Sequence, residues 1–123
     1  MIVEKIEHNV CTIIKVAGDL DAYGVVSFSD ILKGFIVTQK KINIILDLKD
    51  LRMINSQCIG LIVDSLKNIR NLGGDIVLCS VASRVHDIFR ILGLVKIFRW
   101  FDTREAAIAY YQSLTNEAAP PHV

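Results

Sequence analysis

Between Ile42 and Cys79 the chain reads as strand, helix, strand, and this unit constrains the fold more than any other stretch. Ile42-Asn43-Ile44-Ile45-Leu46 is a short apolar run bounded by polar residues, which predicts a buried strand. Residues 56–71 carry Ile59, Ile62, Val63, Leu66 and Ile69 at three- and four-residue spacing, the pattern of one apolar helix face. Gly73-Gly74 then permits a left-handed helix end, and Asp75-Ile76-Val77-Leu78-Cys79 starts the next strand at once. Two strands joined by a crossover helix pair in parallel, with a right-handed connection.

The flanking segments extend this unit into a sheet covered by helices. Residues 2–8 and 10–17 are β-rich runs separated by little more than Asn9, which predicts a tight antiparallel hairpin. The second run is apolar on both faces, with Val10, Thr12, Ile14 and Val16 on one and Cys11, Ile13 and Ala17 on the other, as a central strand requires. Gly18-Asp19-Leu20-Asp21 ends it and leads into a helix over residues 22–37, capped by Asp21 and facing the core through Val25, Phe28, Leu32 and Phe35. Residues 83–92 form a shorter helix with Val85, Ile88, Phe89 and Leu92 on one side, ended by Gly93. Residues 95–101 have the β-branched and aromatic content of a last strand. Asp102 and Glu105 then stand in capping-box register before a helix carrying Ala107, Tyr110, Tyr111 and Leu114. The expected domain spans residues 1–114, and the tail 115–123, with Pro120-Pro121, reads as disordered. The sum is a single α/β domain, a mixed and mostly parallel sheet of about five strands with about four α-helices.

Composition removes several function classes. The 123 residues are 52% hydrophobic and 22% charged, with net charge +1, and the arginines are scattered between elements rather than clustered as nucleic acid requires. No apolar run approaches the ~18 residues of a membrane span, and the N-terminus lacks a signal-peptide pattern, so a soluble cytoplasmic protein is expected. Cys11, Cys58 and Cys79 lack metal-ligand spacing and read as reduced core thiols. His8, His86 and His122 lie far apart, and the Walker spacing is absent, so no enzyme activity, metal or cofactor is expected.

The chemistry that remains is concentrated in residues 51–61. Asn55-Ser56 sits where a loop becomes a helix N-terminus, a place that welcomes a phosphate because backbone N–H groups and the helix dipole meet there. Asn and Ser are equally the ordinary caps of such a helix, worth about 1 kcal/mol. Asp19, Asp21, Asp47 and Asp50 fall near the carboxyl ends of predicted strands and could line one crevice with Ser56. Such a crevice could hold Mg²⁺ with Asp47 as a phospho-acceptor, although a receiver domain does not begin with a hairpin; solvated turns are the plainer reading. Cys58 at a helix N-terminus could be an activated thiol or a buried small residue. Leu61 and Ser65 fall off the apolar stripe of the 56–71 helix and could serve a partner, or Leu61 could touch a neighbouring helix.

Residues 51–61 resemble the signature loop of the STAS family, the anti-sigma factor antagonists, in which Asp-Ser-Ser/Ala-Gly-Leu-Gly follows a strand ending Leu-Asp-Leu. Leu46-Asp47-Leu48 supplies the strand end, and Asn55, Ser56, Ile59 and Gly60 fall on the motif. Asn55 stands for the usual aspartate, Gln57 for the second small residue and Cys58 for the glycine. Gly18-Asp19-Leu20-Asp21, Asn71-Leu72-Gly73-Gly74 and Ile91-Leu92-Gly93-Leu94-Val95-Lys96-Ile97-Phe98 are also similar to family segments, in the same order. The resemblance implies a STAS-like fold and a regulatory binding module. Its partner would be an anti-sigma factor and serine kinase of the histidine-kinase-like ATPase fold. Ser56 would be the phosphorylation site, Asp21 the acid beside it, and a phosphatase would reset the switch. Asn55, Gln57, Cys58 and Gly60 would surround the phosphosite, with Cys58 narrowing a kinase's approach. Asp19, Asp21, Ser56, Leu61 and Ser65 would meet the partner. The alternative is an unphosphorylated STAS scaffold, or a cytoplasmic subunit of a signalling or lipid-transport complex.

Overall fold

The computed structural model describes residues 2–38 and 40–118, and most of the expected organisation is present. Strands β1 (Ile2–Glu7) and β2 (Thr12–Leu20) pair antiparallel from Ile2 opposite Ala17 to Glu7 opposite Thr12. The hairpin connection is longer than the sequence suggests: residues 8–11 close it through a bond from the His8 N–H to the Cys11 carbonyl, 2.9 Å. The remaining strands are β3 (Asn43–Asp47), β4 (Leu51–Ile54), β5 (Asp75–Cys79) and β6 (Arg99–Phe101). Their order is β1-β2-β3-β5-β6, with every pair but the first parallel and β4 attached to β2.

Strand β2 does not end at Gly18. Its first half pairs with β3, Thr12 opposite Ile44 through Lys15 opposite Asp47, and its last residues pair with β4, Gly18 opposite Leu51 and Leu20 opposite Ile54. A bulge between Gly18 and Asp19 makes the change of partner, and Gly18, at φ +87°, adopts a conformation that a side chain would disfavour. Strand β4 was not anticipated, because only Leu51 and Ile54 are buried while Arg52 and Met53 face outward, a pattern with neither strand nor helix period.

Helices cover both faces unequally. On one face α1 (Val25–Lys33), α2 (Ser56–Asn71) and α3 (Ser83–Ile91) pack on the even-numbered residues Ile14, Ile44, Leu46, Ile76 and Leu78. On the other, α4 (Arg104–Ala118) covers Ile13, Ile45, Val77 and Cys79 through Ala107 and Tyr111. Fully burying each large aliphatic side chain contributes roughly 1.5–3 kcal/mol, so the three-helix face holds most of the apolar stabilisation.

Several expected boundaries move for identifiable reasons. Residues 22–24 form a turn rather than helix, and a π-helical segment (Gly34–Thr38) follows α1, with both Phe35 and Ile36 buried. The α2 helix ends as expected: the Gly74 N–H bonds the Ile69 carbonyl and the Gly73 N–H that of Arg70, with Gly73 at φ +88°. A Cβ on Gly74 would overlap the Ile42 carbonyl oxygen, which is why strand and helix end can meet there. Leu92 lies just past α3 and is 45% exposed. The expected strand over 95–101 is a 3₁₀ turn (Val95–Ile97) followed by the short β6. The Trp100 indole N–H takes the Val95 carbonyl at 2.8 Å, a bond that holds the coiled segment against the strand. Thr103, not Asp102, caps α4, its hydroxyl accepting from the Ala106 N–H at 3.1 Å. The helix runs on to Ala118, into the stretch expected to be disordered; residues 119–123, with His122, lie outside the described residues.

Tyr111 ties α4 to the sheet. Its buried hydroxyl lies 2.8 Å from both the Ile44 and the Asp75 carbonyl oxygens, and burial pushes the phenol's pKa far up, so it stays a donor. One proton serves the two acceptors in turn. Replacing Tyr111 with Phe is expected to destabilise the fold by about 1–2 kcal/mol, read as a lower urea midpoint at unchanged slope; an unchanged midpoint would show that the hydroxyl contributes nothing.

Candidate functional site

The end of β2, the end of β4 and the N-termini of α1 and α2 meet at one corner. Asn55 follows β4 in extended conformation, and its N–H bonds the Leu20 carbonyl at 3.0 Å, fastening the loop to β2. The Asn55 side-chain oxygen accepts from the Cys58 N–H at 2.9 Å, so Asn55 is the cap of α2. This resolves the choice between Asn and Ser as cap. Ser56 occupies the first helical position, exposed, and its hydroxyl has no hydrogen bond among the described residues. No acidic residue lies in the first turn of α2, leaving its positive end uncompensated from within the helix.

Cys58 points the opposite way. Its side chain is fully buried in the core cluster, so it does not crowd Ser56 as expected from its size. Its thiol sits 3.8 Å from the Asp21 carbonyl oxygen, linking the start of α2 to the turn before α1. Burial, and secondarily Asp21, raise its pKa, and a fully buried thiol is also out of a reagent's reach, which speaks against the activated-thiol reading. Burial likewise raises Cys11 and takes Cys79 to about 11.

The four acids do not line one crevice with Ser56: Asp19 and Asp21 line a groove with Tyr23 and Arg52, Asp47 lines a different cleft, and Ser56 lines neither. Asp21 spends one oxygen on the N–H groups of Tyr23 and Gly24, at 3.0 and 3.2 Å, forming the turn that precedes α1 rather than capping the helix itself. Asp19 binds Arg52 through both oxygens at 2.9 and 2.8 Å, and this guanidinium holds its carboxyl below the usual range. Asp50 pairs with Lys15 at 3.0 Å. Asp47 is buried, accepting from the Lys49 N–H at 3.1 Å and from two Arg104 nitrogens, each at 2.8 Å. An acid so engaged is poorly placed as a phospho-acceptor, and among the described residues no group of three His, Cys, Asp or Glu could hold a metal ion.

Of the residues expected around the phosphosite or against the partner, Asp19, Asp21, Ser56, Gln57 and Gly60 lie at or near this corner, Ser56, Gln57 and Gly60 being exposed. Leu61 is half-buried against the core and lines a groove of about 510 Å³ between α1 and α2, with Val26, Asp30, Gln57, Gly60 and Asp64. Ser65 is corrected: it is buried, because Cys58, Ile62, Ser65 and Ile69 form one inward stripe on which a small polar residue fits. Sequence reasoning missed Tyr23, Val26 and Met53, which are 94%, 66% and 56% exposed around the corner. Their signal was a large apolar residue in a turn or off the core stripe, which alone is too common to single out.

The family profile for the STAS domain matches residues 2–107. The chain belongs to the STAS domain family. Among curated relatives, this STAS domain is 27% identical over 106 residues to the anti-sigma F factor antagonist of Paenibacillus polymyxa, covering 86% of this chain and 91% of that one. It is 33% identical over 70 residues to BtrV of Bordetella bronchiseptica, a match spanning 57% of this chain and 60% of that relative's length. Its fold matches the anti-sigma factor antagonist SpoIIAA of Bacillus. The TM-score is 0.81 to the unphosphorylated form, at 19% identity over 91% of this chain and 97% of that one. To the phosphorylated form it is 0.72, at 19% identity over 89% and 98%. No helix among the described residues is long and apolar enough to cross a membrane.

Replacing Asn55 with Ala is expected to cost about 1 kcal/mol in urea unfolding, whereas Ser56→Ala should cost little; equal costs would show that the cap is shared. Iodoacetamide at pH 8 should label Cys58 in the folded protein far more slowly than in urea, and rapid native labelling followed by peptide mapping would contradict its burial.

Proposed function

We propose that this STAS domain is an anti-sigma factor antagonist that docks its partner through the corner around Ser56 and is switched off by phosphorylation of that residue. The observation that carries this reading is the division of labour at α2. Asn55 does the capping and Ser56 stands exposed with its hydroxyl unengaged, so modification costs the fold no hydrogen bond. The names of the relatives support the regulatory role. The partner proposed is an anti-sigma factor that is also a serine kinase of the histidine-kinase-like ATPase fold, with a phosphatase restoring the free hydroxyl.

Geometry supports both states. In the unmodified protein Tyr23, Val26 and Met53 offer apolar surface, and the α1–α2 groove beside Gln57, Gly60 and Leu61 can accept a side chain from the partner. A phosphoryl group on Ser56 adds close to two negative charges at pH 7. In the free protein the first-turn N–H groups and the dipole of α2 stabilise it, so the fold persists. Inside an interface the same charge must shed water against surface chosen for apolar contact, and an unpaired buried charge costs several kcal/mol. The modification therefore weakens docking.

Incubation with the partner kinase and ATP, followed by peptide mapping, should place one phosphoryl group on Ser56. Ser56→Ala should bind within about threefold of the unmodified protein yet never dissociate under those conditions, and Ser56→Asp should bind about tenfold more weakly. A Ser56→Ala protein that still dissociates on phosphorylation would contradict the switch. Absence of transfer to Ser56 would favour a STAS scaffold or transport-complex subunit.

A further inference from the structure

Helices α2 and α3 lie on the same face of the sheet, and each crosses back before a strand that runs parallel to its neighbour, so both end at the edge where β5 and β6 begin. The 16 residues of α2 run from Ser56 at one edge to Asn71 at the other, a rise of about 24 Å. A partner docked at Ser56 therefore leaves this amino edge free. Both helices end there in the same kind of turn: the Gly74 N–H bonds the Ile69 carbonyl and the Leu94 N–H the Phe89 carbonyl, with Gly73 and Gly93 at φ +88° and +73°. The two turns are tied together, because the Arg70 guanidinium donates to the Ile97 carbonyl at 2.7 Å, just beyond the α3 turn.

Large aliphatic side chains project from this edge. Leu72, Ile91 and Leu92 are 57%, 76% and 45% exposed, and none of them packs against either core cluster. The α3 turn packs Leu94 inward and the α2 turn has Gly74 at the matching position, so neither turn uses these side chains. Cations surround them. Lys67 and Arg70 lie near the end of α2, Arg90 ends α3, Lys96 follows in the 3₁₀ turn and Arg99 starts β6. Asp75 and Asp87 offset part of this charge, the first shared by Arg70 and Arg99 at 3.1 and 3.5 Å, the second paired with Arg90 at 3.3 Å. Lys67 and Lys96 are exposed with no ion pair among the described residues, so the edge keeps a positive excess. The helix dipoles call for a cation at each end, which Arg70 and Arg90 supply; Lys67 and Lys96 exceed that need.

We infer that this amino edge docks on an anionic lipid surface, with Leu72, Ile91 and Leu92 entering the headgroup layer and the surrounding cations, Lys67 and Lys96 foremost, facing the lipid phosphates. Aliphatic side chains with no aromatic among them, ringed by lysine and arginine, suit a lipid interface better than a protein partner, because protein interfaces deplete lysine and centre on aromatic anchors. The native cysteines are all buried, so an environment-sensitive dye can be placed on Leu72→Cys, with Lys49→Cys at the opposite edge as control. The full chain is mixed with vesicles of phosphatidylcholine alone, or of phosphatidylcholine and phosphatidylglycerol in equal parts, and binding is read by co-sedimentation. Binding is expected to the mixed vesicles only, with a blue shift of the dye at position 72 and none at position 49. Lys67→Glu combined with Lys96→Glu should weaken it at least about tenfold, and Leu72→Ser combined with Ile91→Ser about tenfold. Both variants alter exposed residues, and an unshifted urea midpoint confirms that they fold. No sedimentation with the mixed vesicles, equal sedimentation with the neutral ones, a dye shift at position 49 instead of 72, or unweakened binding by either variant would each overturn the assignment. Capture by polyglutamate without vesicle binding would overturn it in favour of an acidic protein. None of these readouts depends on Ser56.

Discussion

The structure depends on β2 pairing with two different strands along one edge. Its lower half holds β3 and its upper half holds β4, with the bulge at Gly18 between them. Without that change of partner, residues 51–54 would have no ladder to join, and the loop that follows would have no fixed position. The Gly18 N–H bond to the Asp50 carbonyl and the Asn55 N–H bond to the Leu20 carbonyl close the arrangement at its two ends. Asp19 and Arg52 bridge the same two strands from the outside, but both side chains are substantially solvated, so the bridge orients more than it stabilises. A bulge next to a functional loop re-aims the chain locally while the core below keeps its register.

That placement separates the demands of the fold from those of a docking surface within five residues. Ile54 and Cys58 are buried, Asn55 satisfies the helix end, and Ser56 has neither duty. A neutral cap also matters electrostatically. An aspartate at position 55 would put a negative charge beside any phosphate on Ser56, whereas Asn55 makes the same bond to the Cys58 N–H without it. The departures from the family motif at positions 55 and 58 thus have physical roles here, as cap and as core. Gln57 remains on the surface, where it lines the α1–α2 groove.

Much of the fold was legible because its elements obey simple periods. The 56–71 helix and the buried strands Asn43–Asp47 and Asp75–Cys79 are long or apolar enough that local pattern and tertiary packing agree. Strand β4 was not legible, since four residues with a buried–exposed–exposed–buried pattern exist as a strand only because β2 is there to pair with them. The same holds for residues 95–97, whose β-branched content lost to the geometry that Trp100 imposes. At the site, position was legible but direction was not. The sequence located Ser56 and Cys58 on one helix turn and read Cys58 as a core thiol while leaving an activated thiol open; packing puts Cys58 in the core and Ser56 in water. Ser65 failed for a related reason: the spacing put it off the apolar stripe with Leu61, whereas its small hydroxyl fits an inward stripe with Cys58, Ile62 and Ile69.

Charge at Ser56, rather than a change of fold, is what the proposed switch uses to control docking. The most direct measurement is calorimetric titration of the proposed anti-sigma partner with this protein, unmodified and bearing phosphoserine at position 56, alongside amide spectra of both forms. The expected result is at least a hundredfold loss of affinity, about 2.7 kcal/mol or more, with spectral changes confined to the corner where α1 and α2 begin. Equal affinities, or a loss accompanied by shifts throughout the sheet, would contradict it.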